Sequence, residues 1–177
     1  MTQSALAAKV LKTLRPIPDH PKPGIVFQDI TPVLGDAELF RQVTEAMANQ
    51  FGGQGVTHVL GIEARGFILG APVSVRLGAG FIPARKPGKL PWDRVREEYQ
   101  LEYGTDALET HRDACRHPAR VLVVDDVLAT GGTARAAGRL VQTLGASLVG
   151  WSFLLELTFL GGRKQLNGAP VRPIATL

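Results

Sequence analysis

The middle of the chain alternates between short apolar runs and longer stretches in which apolar residues recur at three- and four-residue spacing. Continuous apolar runs are typical of buried parallel strands, and the three- and four-residue spacing is typical of helices. The predicted strands cover about residues 57–62, 81–85, 121–124 and 146–157. The predicted helices cover about residues 6–14, 37–51, 67–77 and 134–144. This alternation predicts a single α/β domain over residues 1–177, with a mainly parallel central sheet flanked by helices.

Helix-breaking and helix-capping residues support these boundaries. Pro16 follows the first helix and cannot continue it, because proline has no backbone N–H to give to the helix. Asp36 has the side chain of an N-cap and stands directly before the second helix. Gly52 and Gly53 are expected to end that helix.

Two parts of the chain fall outside this alternation. Residues 92–104 are polar, with Tyr99, Leu101 and Tyr103 at alternate positions, which predicts one arm of a hairpin. With the segment before it, this excursion predicts an active-site lid over about residues 86–105. The chain ends, about residues 1–35 and 155–177, flank the core and are expected to form a small hood.

The segment Val121–Thr133 joins an apolar strand, two carboxylates, a glycine turn and a helix. Backbone N–H groups in such a turn, with the helix dipole behind them, bind a phosphate. Asp125 and Asp126 repel phosphate but accept hydrogen bonds from neighbouring hydroxyls, so the combination predicts a phosphorylated sugar. The alternative is that the two aspartates only cap a helix. The turn residues are Ala129, Thr130, Gly131, Gly132 and Thr133.

Three further segments are candidate parts of a site. Glu63-Ala64-Arg65-Gly66 also joins a strand to a helix, so Arg65 either binds an anion or forms a surface ion pair. Residues 85–91 carry Arg85, Lys86 and Lys89 among prolines and a glycine, and form either a solvated loop or a grip for pyrophosphate. Residues 23–30 form either a small edge strand or, through Phe27, a wall for a planar ligand.

Composition narrows the class of protein. A net charge of +4 suits a polyanionic small substrate, and the absence of a run of five Lys or Arg argues against nucleic acid as a partner. The single Cys115 excludes an internal disulfide, and we interpret it, with His111 and His117, as unrelated to metal binding. Without an apolar signal core or an apolar run of roughly 20 residues, a cytoplasmic enzyme with no membrane contact is expected.

The segment Val121–Thr133 resembles the phosphoribosyl-pyrophosphate (PRPP) binding motif of the type I phosphoribosyltransferases. From about Pro21 to Gly162, further segments are most similar to the adenine-specific members of that family. The resemblance implies transfer of the 5-phosphoribosyl group from PRPP to adenine, which gives AMP and pyrophosphate in purine salvage. It also implies a homodimer and a Mg²⁺ ion held by substrate oxygens, with no assigned protein ligand. The segments are residues 23–29, 63–67, 85–91 and 99–104.

The resemblance assigns the candidate residues to three parts of the substrates. Asp125 and Asp126 would hold the ribose hydroxyls, and residues 129–133 the 5′-phosphate. The adenine would be bound by Val26, Phe27, Gln28 and Leu157, with backbone near Phe27 and Gln28 reading its edge. The pyrophosphate would be bound by Ala64, Arg65, Arg85, Lys86 and Lys89.

The resemblance also implies which residues act in the reaction. Glu102 would be the acid/base at the purine nitrogen, Arg65 would assist in catalysis, and Tyr103 would close the lid. Arg85 is a candidate for contribution by a second subunit. A non-proline cis peptide bond is expected at Ala64–Arg65.

Two alternatives to this function remain. An enzyme for hypoxanthine, guanine or xanthine would need a charged side chain near Leu157 that recognises the 6-oxo group of the base. The strand end there, Leu-Glu-Leu-Thr, has no side chain for that role. A PRPP-sensing regulator that binds nucleic acid would need a separate DNA-reading module, for which the roughly 20 residues before Pro21 are too few.

Overall fold

The structure, a computed structural model, describes residues 2–100 and 104–177. Its first elements are α1 (Gln3–Thr13), β1 (Arg15–Ile17), β2 (Phe27–Asp29), α2 (Thr31–Gly35) and α3 (Ala37–Asn49). The middle of the chain forms β3 (His58–Ile62), α4 (Arg65–Leu77), β4 (Gly80–Ala84), β5 (Arg94–Gln100) and β6 (Thr105–His111). The last elements are β7 (Arg120–Leu128), α5 (Gly132–Thr143), β8 (Ser147–Glu156), 3₁₀ helices at Thr158–Leu160 and Gly162–Gln165, and β9 (Val171–Thr176).

The predicted α/β fold with a parallel central sheet is confirmed. Five parallel strands lie in the order β4-β3-β7-β8-β9. Successive residues of β3 and β7 point to opposite faces, so Val59 and Leu122 pack with α1, α3 and α4, whereas Leu60 and Val123 pack with α5 and the β5–β6 hairpin. Because both faces are covered, the central strands are apolar along most of their length.

Strand β7 is longer than predicted and contains both aspartates. Its pairing with β8 continues through Asp125↔Phe153 and Val127↔Leu155 to Leu128. The prediction that the strand ends before Asp125 was wrong, because the long neighbouring strand continues the hydrogen-bond ladder past the change from apolar to acidic residues.

Both ends of the chain pack on the core, and the expected hood formed by residues 1–35 and 155–177 stays a prediction. β9, within the segment 155–177, is the edge strand of the central sheet and pairs in parallel with β8. Leu6 and Val10 of α1 are buried in the same apolar cluster as α3 and β9. β1 and β2 form a separate antiparallel pair, in which the guanidinium of Arg15 donates to Asp29.

Strands β5 and β6 form the antiparallel hairpin expected in the lid region, with pairing from Arg94↔His111 to Gln100↔Thr105. β6, from Thr105 to His111, is the second arm of this hairpin. The N-cap prediction is confirmed, since Asp36 accepts a hydrogen bond from the Leu39 N–H at 2.9 Å. Among the described residues, no helix is long and apolar enough to cross a membrane.

Candidate active site

A cavity of about 420 Å³ opens at the carboxyl edge of the central sheet. β3 and β7 end there and α4 and α5 begin there, which is the usual place for a ligand site in a sheet of this type. The predicted site residues that line the cavity are Val26, Phe27, Gln28, Ala64, Arg65, Lys86, Asp125, Asp126, Ala129, Thr130, Gly131, Gly132, Thr133 and Leu157. Arg85 and Lys89 do not line it, and Glu102 and Tyr103 lie outside the described residues.

The two adjacent aspartates, Asp125 and Asp126, interact electrostatically. Asp125 Oδ1 accepts the Asp126 backbone N–H at 2.9 Å, and the Asp126 side chain is almost fully buried. Burial raises the pKa of the Asp125 carboxyl well above its ordinary value, and the negative charge of Asp126 raises it further. The pair therefore stores electrostatic repulsion in the free protein that hydroxyl donors of a sugar would relieve.

Arg65 connects the acidic pair to the aromatic wall of the cavity. Its Nε lies 2.7 Å from Asp126 Oδ2, and its guanidinium carbon lies 5.2 Å from the centre of the Phe27 ring. Within residues 2–100 and 104–177, Asp126 Oδ2 nevertheless has no hydrogen-bond partner, because the Nε–H of Arg65 does not point at it. Arg65 is thus an ion-pair partner inside the cavity rather than at the surface.

The turn from Ala129 to Thr133 brings the N-terminus of α5 to the cavity. Gly131, with a φ of 87°, is the N-cap of α5, and no side chain among the described residues caps this helix. The N–H groups of the first helical turn have no partner within the helix, so an uncapped N-terminus facing a cavity is suited to phosphate. α4 also begins at the cavity without a side-chain cap.

The non-proline cis peptide bond lies at Glu63–Ala64. The expected position, Ala64–Arg65, was therefore wrong by one residue. Arg65 is already the first residue of α4, and the regular helical backbone is built from trans peptides.

Glu63 binds the cationic loop, residues 85–91, and was not among the predicted site residues. Its carboxylate accepts hydrogen bonds from the Arg85 Nε at 3.3 Å, the Lys86 backbone N–H at 2.9 Å and the Lys89 ammonium. Burial raises the pKa of Glu63, but the hydrogen bonds from Lys89, Lys86 and Arg85 outweigh burial and hold that pKa below its ordinary value. The signal that could have found Glu63 is its place directly after a buried strand, although the three cations that it binds are 22 to 26 residues away in the chain.

Lys86 differs from the other two cations because it lines the cavity. Its ammonium donates to the Tyr99 hydroxyl at 2.6 Å and to the Asp106 carboxylate. Burial lowers the pKa of Lys86, but the hydrogen bonds to Asp106 and Tyr99 raise it above its ordinary value. Asp106 was missed by sequence reasoning, since its position in a strand resembles that of any half-exposed polar residue.

The remaining wall of the cavity is apolar. Val26 and Phe27 face the segment that follows β8, where the Leu157 N–H donates to the Leu128 carbonyl at 2.9 Å. Ile25 and Leu160 also line this part and were not predicted. The segment 23–30 therefore contains the predicted short strand, β2, and also presents Phe27 to the cavity.

The chain was compared with known families and structures. A family model described as a phosphoribosyl transferase domain matches residues 34–156. The adenine phosphoribosyltransferase of Myxococcus xanthus is 57% identical over 176 residues, which is 99% of this chain and 96% of that protein. The crystal structure of adenine phosphoribosyltransferase from Rhodothermus marinus matches with a TM-score of 0.93 at 51% identity, covering 98% of this chain and 99% of that chain.

A second solved structure has ligands. Adenine phosphoribosyltransferase from Saccharomyces cerevisiae, complexed with D-2,5-dideoxy-2,5-imino-altritol 1,6-bisphosphate and adenine, matches with a TM-score of 0.91 at 38% identity. It covers 97% of this chain and 99% of that chain. The domain match covers most of the chain, and the relatives match it from end to end. The chain belongs to the adenine phosphoribosyltransferases, a family of the phosphoribosyl transferase domain.

Proposed function

We propose that this protein transfers the 5-phosphoribosyl group from PRPP to adenine and releases AMP and pyrophosphate, as a purine salvage enzyme. The observation that carries the proposal is a single cavity in which the acidic pair and the uncapped turn 129–133 adjoin an apolar wall. The yeast relative was crystallised with adenine and a sugar-like bisphosphate. One of these ligands is a planar base and the other is phosphorylated, as are the two substrates proposed for this cavity.

PRPP would be bound through its sugar and its 5′-phosphate. The ribose hydroxyls donate to Asp125 and Asp126, which accept hydrogen bonds when ionised. The phosphate accepts hydrogen bonds from the backbone N–H groups at the start of α5, and the helix dipole adds to the attraction. Arg65 already neutralises part of the charge of Asp126, so the acidic pair and the phosphates can share one cavity.

Bond cleavage would place charge at both ends of the breaking bond. As the ribose C1–O bond to pyrophosphate lengthens, C1 gains oxocarbenium character and the leaving group gains negative charge. The cations nearest this charge are Arg65 and Lys86, both of which line the cavity. We propose that Arg85 and Lys89, which do not line the cavity, act on pyrophosphate only after they leave Glu63, which does line it.

Adenine would occupy the apolar part of the cavity, between Phe27 and Leu157. Backbone groups of Phe27 and Gln28 would read the edge of the base, so the side chain at position 28 should matter little. Glu102 is the proposed acid/base at the purine nitrogen, and Tyr103 the proposed closing residue of the lid. A lid would exclude water, which would otherwise hydrolyse PRPP.

Mg²⁺ is proposed as part of the PRPP substrate. Among residues 2–100 and 104–177, no group of three or more His, Cys, Asp or Glu is arranged to hold a metal ion. The proposed ligands of the ion are mostly pyrophosphate, ribose and water oxygens, as Mg²⁺ prefers. When bound, it would stabilise charge on the leaving pyrophosphate.

We further propose a cytoplasmic homodimer. Ile68 and Val75 are exposed apolar residues two turns apart on α4, with 45% and 79% of their surfaces accessible, and a second copy would cover them. In such a dimer Arg85, which does not line its own cavity, is the candidate for the partner's site.

The reaction is tested by incubating the purified protein with PRPP, Mg²⁺ and each purine base in turn while nucleotide formation is followed. AMP from adenine is the expected product, and a protein that makes nucleotide only from another base would overturn the assignment. In the same assay, Glu102→Ala should lower kcat far more than it raises the KM for PRPP. Glu98→Ala, at an exposed glutamate of the same hairpin, is the matched control.

A further inference from the structure

Lys86 is fixed at both ends at the edge of the cavity. Its backbone N–H donates to Glu63 Oε2 at 2.9 Å, which ties the main chain to the end of β3. Its ammonium reaches the β5–β6 hairpin, where it donates to the Tyr99 hydroxyl at 2.6 Å and to Asp106 Oδ2. The side chain therefore connects the cationic loop to the hairpin beside the cavity that it lines.

Asp106 is built to hold an ammonium in one place. Its Oδ1 accepts the Ala107 N–H at 2.7 Å, so the carboxylate cannot rotate freely. Its Oδ2 accepts from Lys86 and from the Tyr99 hydroxyl, the latter at 3.2 Å. Tyr99 and Asp106 are direct partners in the hairpin, and Tyr99 is almost fully buried, so the two acceptors have a fixed separation.

The cluster lies next to the hairpin tip. Tyr99↔Asp106 is followed by the pair Gln100↔Thr105, the last pair before residues 101–104 connect the two strands. The connecting residues include Glu102, the proposed acid/base. Asp106 is therefore the carboxylate through which the cationic loop and this end of the hairpin are joined.

Without Asp106, a different carboxylate would compete for Lys86. Glu63 already accepts from Arg85 and Lys89, and both of those cations lie outside the cavity lining. A lysine side chain has a flexible four-carbon stem, so its ammonium can reach several acceptors unless one of them fixes it. Asp106 and Tyr99 fix this one ammonium beside the cavity, whereas the two cations that bind the Glu63 side chain do not line it.

We infer that Asp106 is a positioning residue for polyphosphate binding: it holds the Lys86 ammonium at the cavity wall before the substrate arrives. This inference rests on the proposed function, because it takes the pyrophosphate group of PRPP as the ligand. Pre-orientation lowers the entropy lost when the ammonium meets the phosphate oxygens. The pKa directions agree with such a pair. Burial raises the pKa of Asp106, but the hydrogen bond from Lys86 and the others outweigh it and hold that pKa below its ordinary value.

Calorimetric titration of PRPP into the purified protein, with Mg²⁺ and without adenine, tests the inference. Asp106→Asn keeps the shape of the side chain but loses the charge, and should raise the Kd for PRPP about tenfold through lost pre-orientation. Asp106→Glu keeps the charge and should recover part of the affinity. Asp93→Asn is the control, since it removes an exposed ion pair to Arg112 at the opposite end of the same hairpin.

A double mutant separates positioning from a merely structural effect. In a Lys86→Met background, Asp106→Asn should cause no further loss of PRPP affinity, because no ammonium remains to be held. An equal loss in both backgrounds, or a Kd within twofold of the wild type for Asp106→Asn alone, would overturn the inference. Should Asp106→Asn fail to fold, Tyr99→Phe removes the other acceptor of Lys86 and should raise the Kd in the same direction.

These outcomes are distinct from failure of the proposed function. Wild-type protein that binds PRPP but forms no AMP would refute the reaction while leaving the role of Asp106 measurable. Wild-type protein that binds neither PRPP nor sodium pyrophosphate would refute both.

Discussion

Gly162 lies directly against the carbonyl of Ala129: a Cβ at position 162 would be 2.1 Å from that oxygen. On the same contact, a Cβ at Gly131 would be 2.4 Å from the Gly162 carbonyl oxygen. The 3₁₀ helix Gly162–Gln165 thus packs backbone to backbone on the turn 129–133. The shape of that turn depends on a segment far along the chain that makes no predicted contact with substrate.

Gly162→Ala should therefore weaken PRPP binding without touching a ligand. The added methyl must displace backbone, and such overpacking costs about 1–3 kcal/mol. We expect the Kd for PRPP to rise at least about tenfold if most of that cost falls on the turn. Gly35→Ala is the control, because a Cβ there meets no atom within 4 Å. Titration of PRPP into both variants decides the matter, and equal affinities would show that the turn does not need this support.

Asp125→Asn should stabilise the folded protein while abolishing PRPP binding. The pKa of Asp125 is raised in the folded state, so stability falls as pH rises from the ordinary value of 3.8 through the raised pKa. Asn removes the buried charge and can still accept the Asp126 N–H through its Oδ1. Thermal denaturation at neutral pH should show a higher Tm, because the free energy of unfolding rises on the order of 1 kcal/mol for each pKa unit relieved. A lower Tm would show that the charge is already compensated.

Asp29 should support the fold only above acidic pH. The Thr31 backbone N–H and the Arg15 guanidinium lower the pKa of Asp29 from 3.8 to about 2. The contribution of Asp29 to the free energy of unfolding is therefore fully present above pH 3.8 and is lost as the pH falls through about 2. The Tm difference between the wild type and Asp29→Asn should shrink over that window. A Tm difference that stays constant between pH 3.8 and about 2 would contradict this role of Asp29.

Leu157→Ala should weaken adenine binding more than PRPP binding. Leu157 lines the apolar part of the cavity, and lost methylenes in such a pocket reduce discrimination by about tenfold or more. The KM for adenine should rise by that factor while the Kd for PRPP stays within about twofold of the wild type. Phe159→Ala removes a nearby side chain that is 76% exposed and should change neither constant. Equal loss of both substrates would mean that Leu157 supports the whole cavity rather than the base.

Most of the residues that the sequence offered as site candidates line one cavity. Asp125, Asp126 and the turn 129–133 are contiguous, so a short stretch of sequence is sufficient to predict a sugar-phosphate site. Phe27 and Leu157 are far apart in the chain, and the family resemblance rather than their spacing brought them together. The contributions of Glu63 and Asp106 were missed because their partners come from other segments.

The sequence by itself determined the alternation of strands and helices, the N-cap at Asp36 and the chemistry at the carboxyl end of β7. Each of these depends on residues close together in the chain, whose spacing sets the hydrogen bonding and the buried face. Only the tertiary structure decided that β9 is the edge strand of the sheet, that Gly162 packs on the turn 129–133 and that Asp106 binds Lys86. Those relationships depend on which distant segments pack together, and that is settled by burial and strand pairing across the whole molecule.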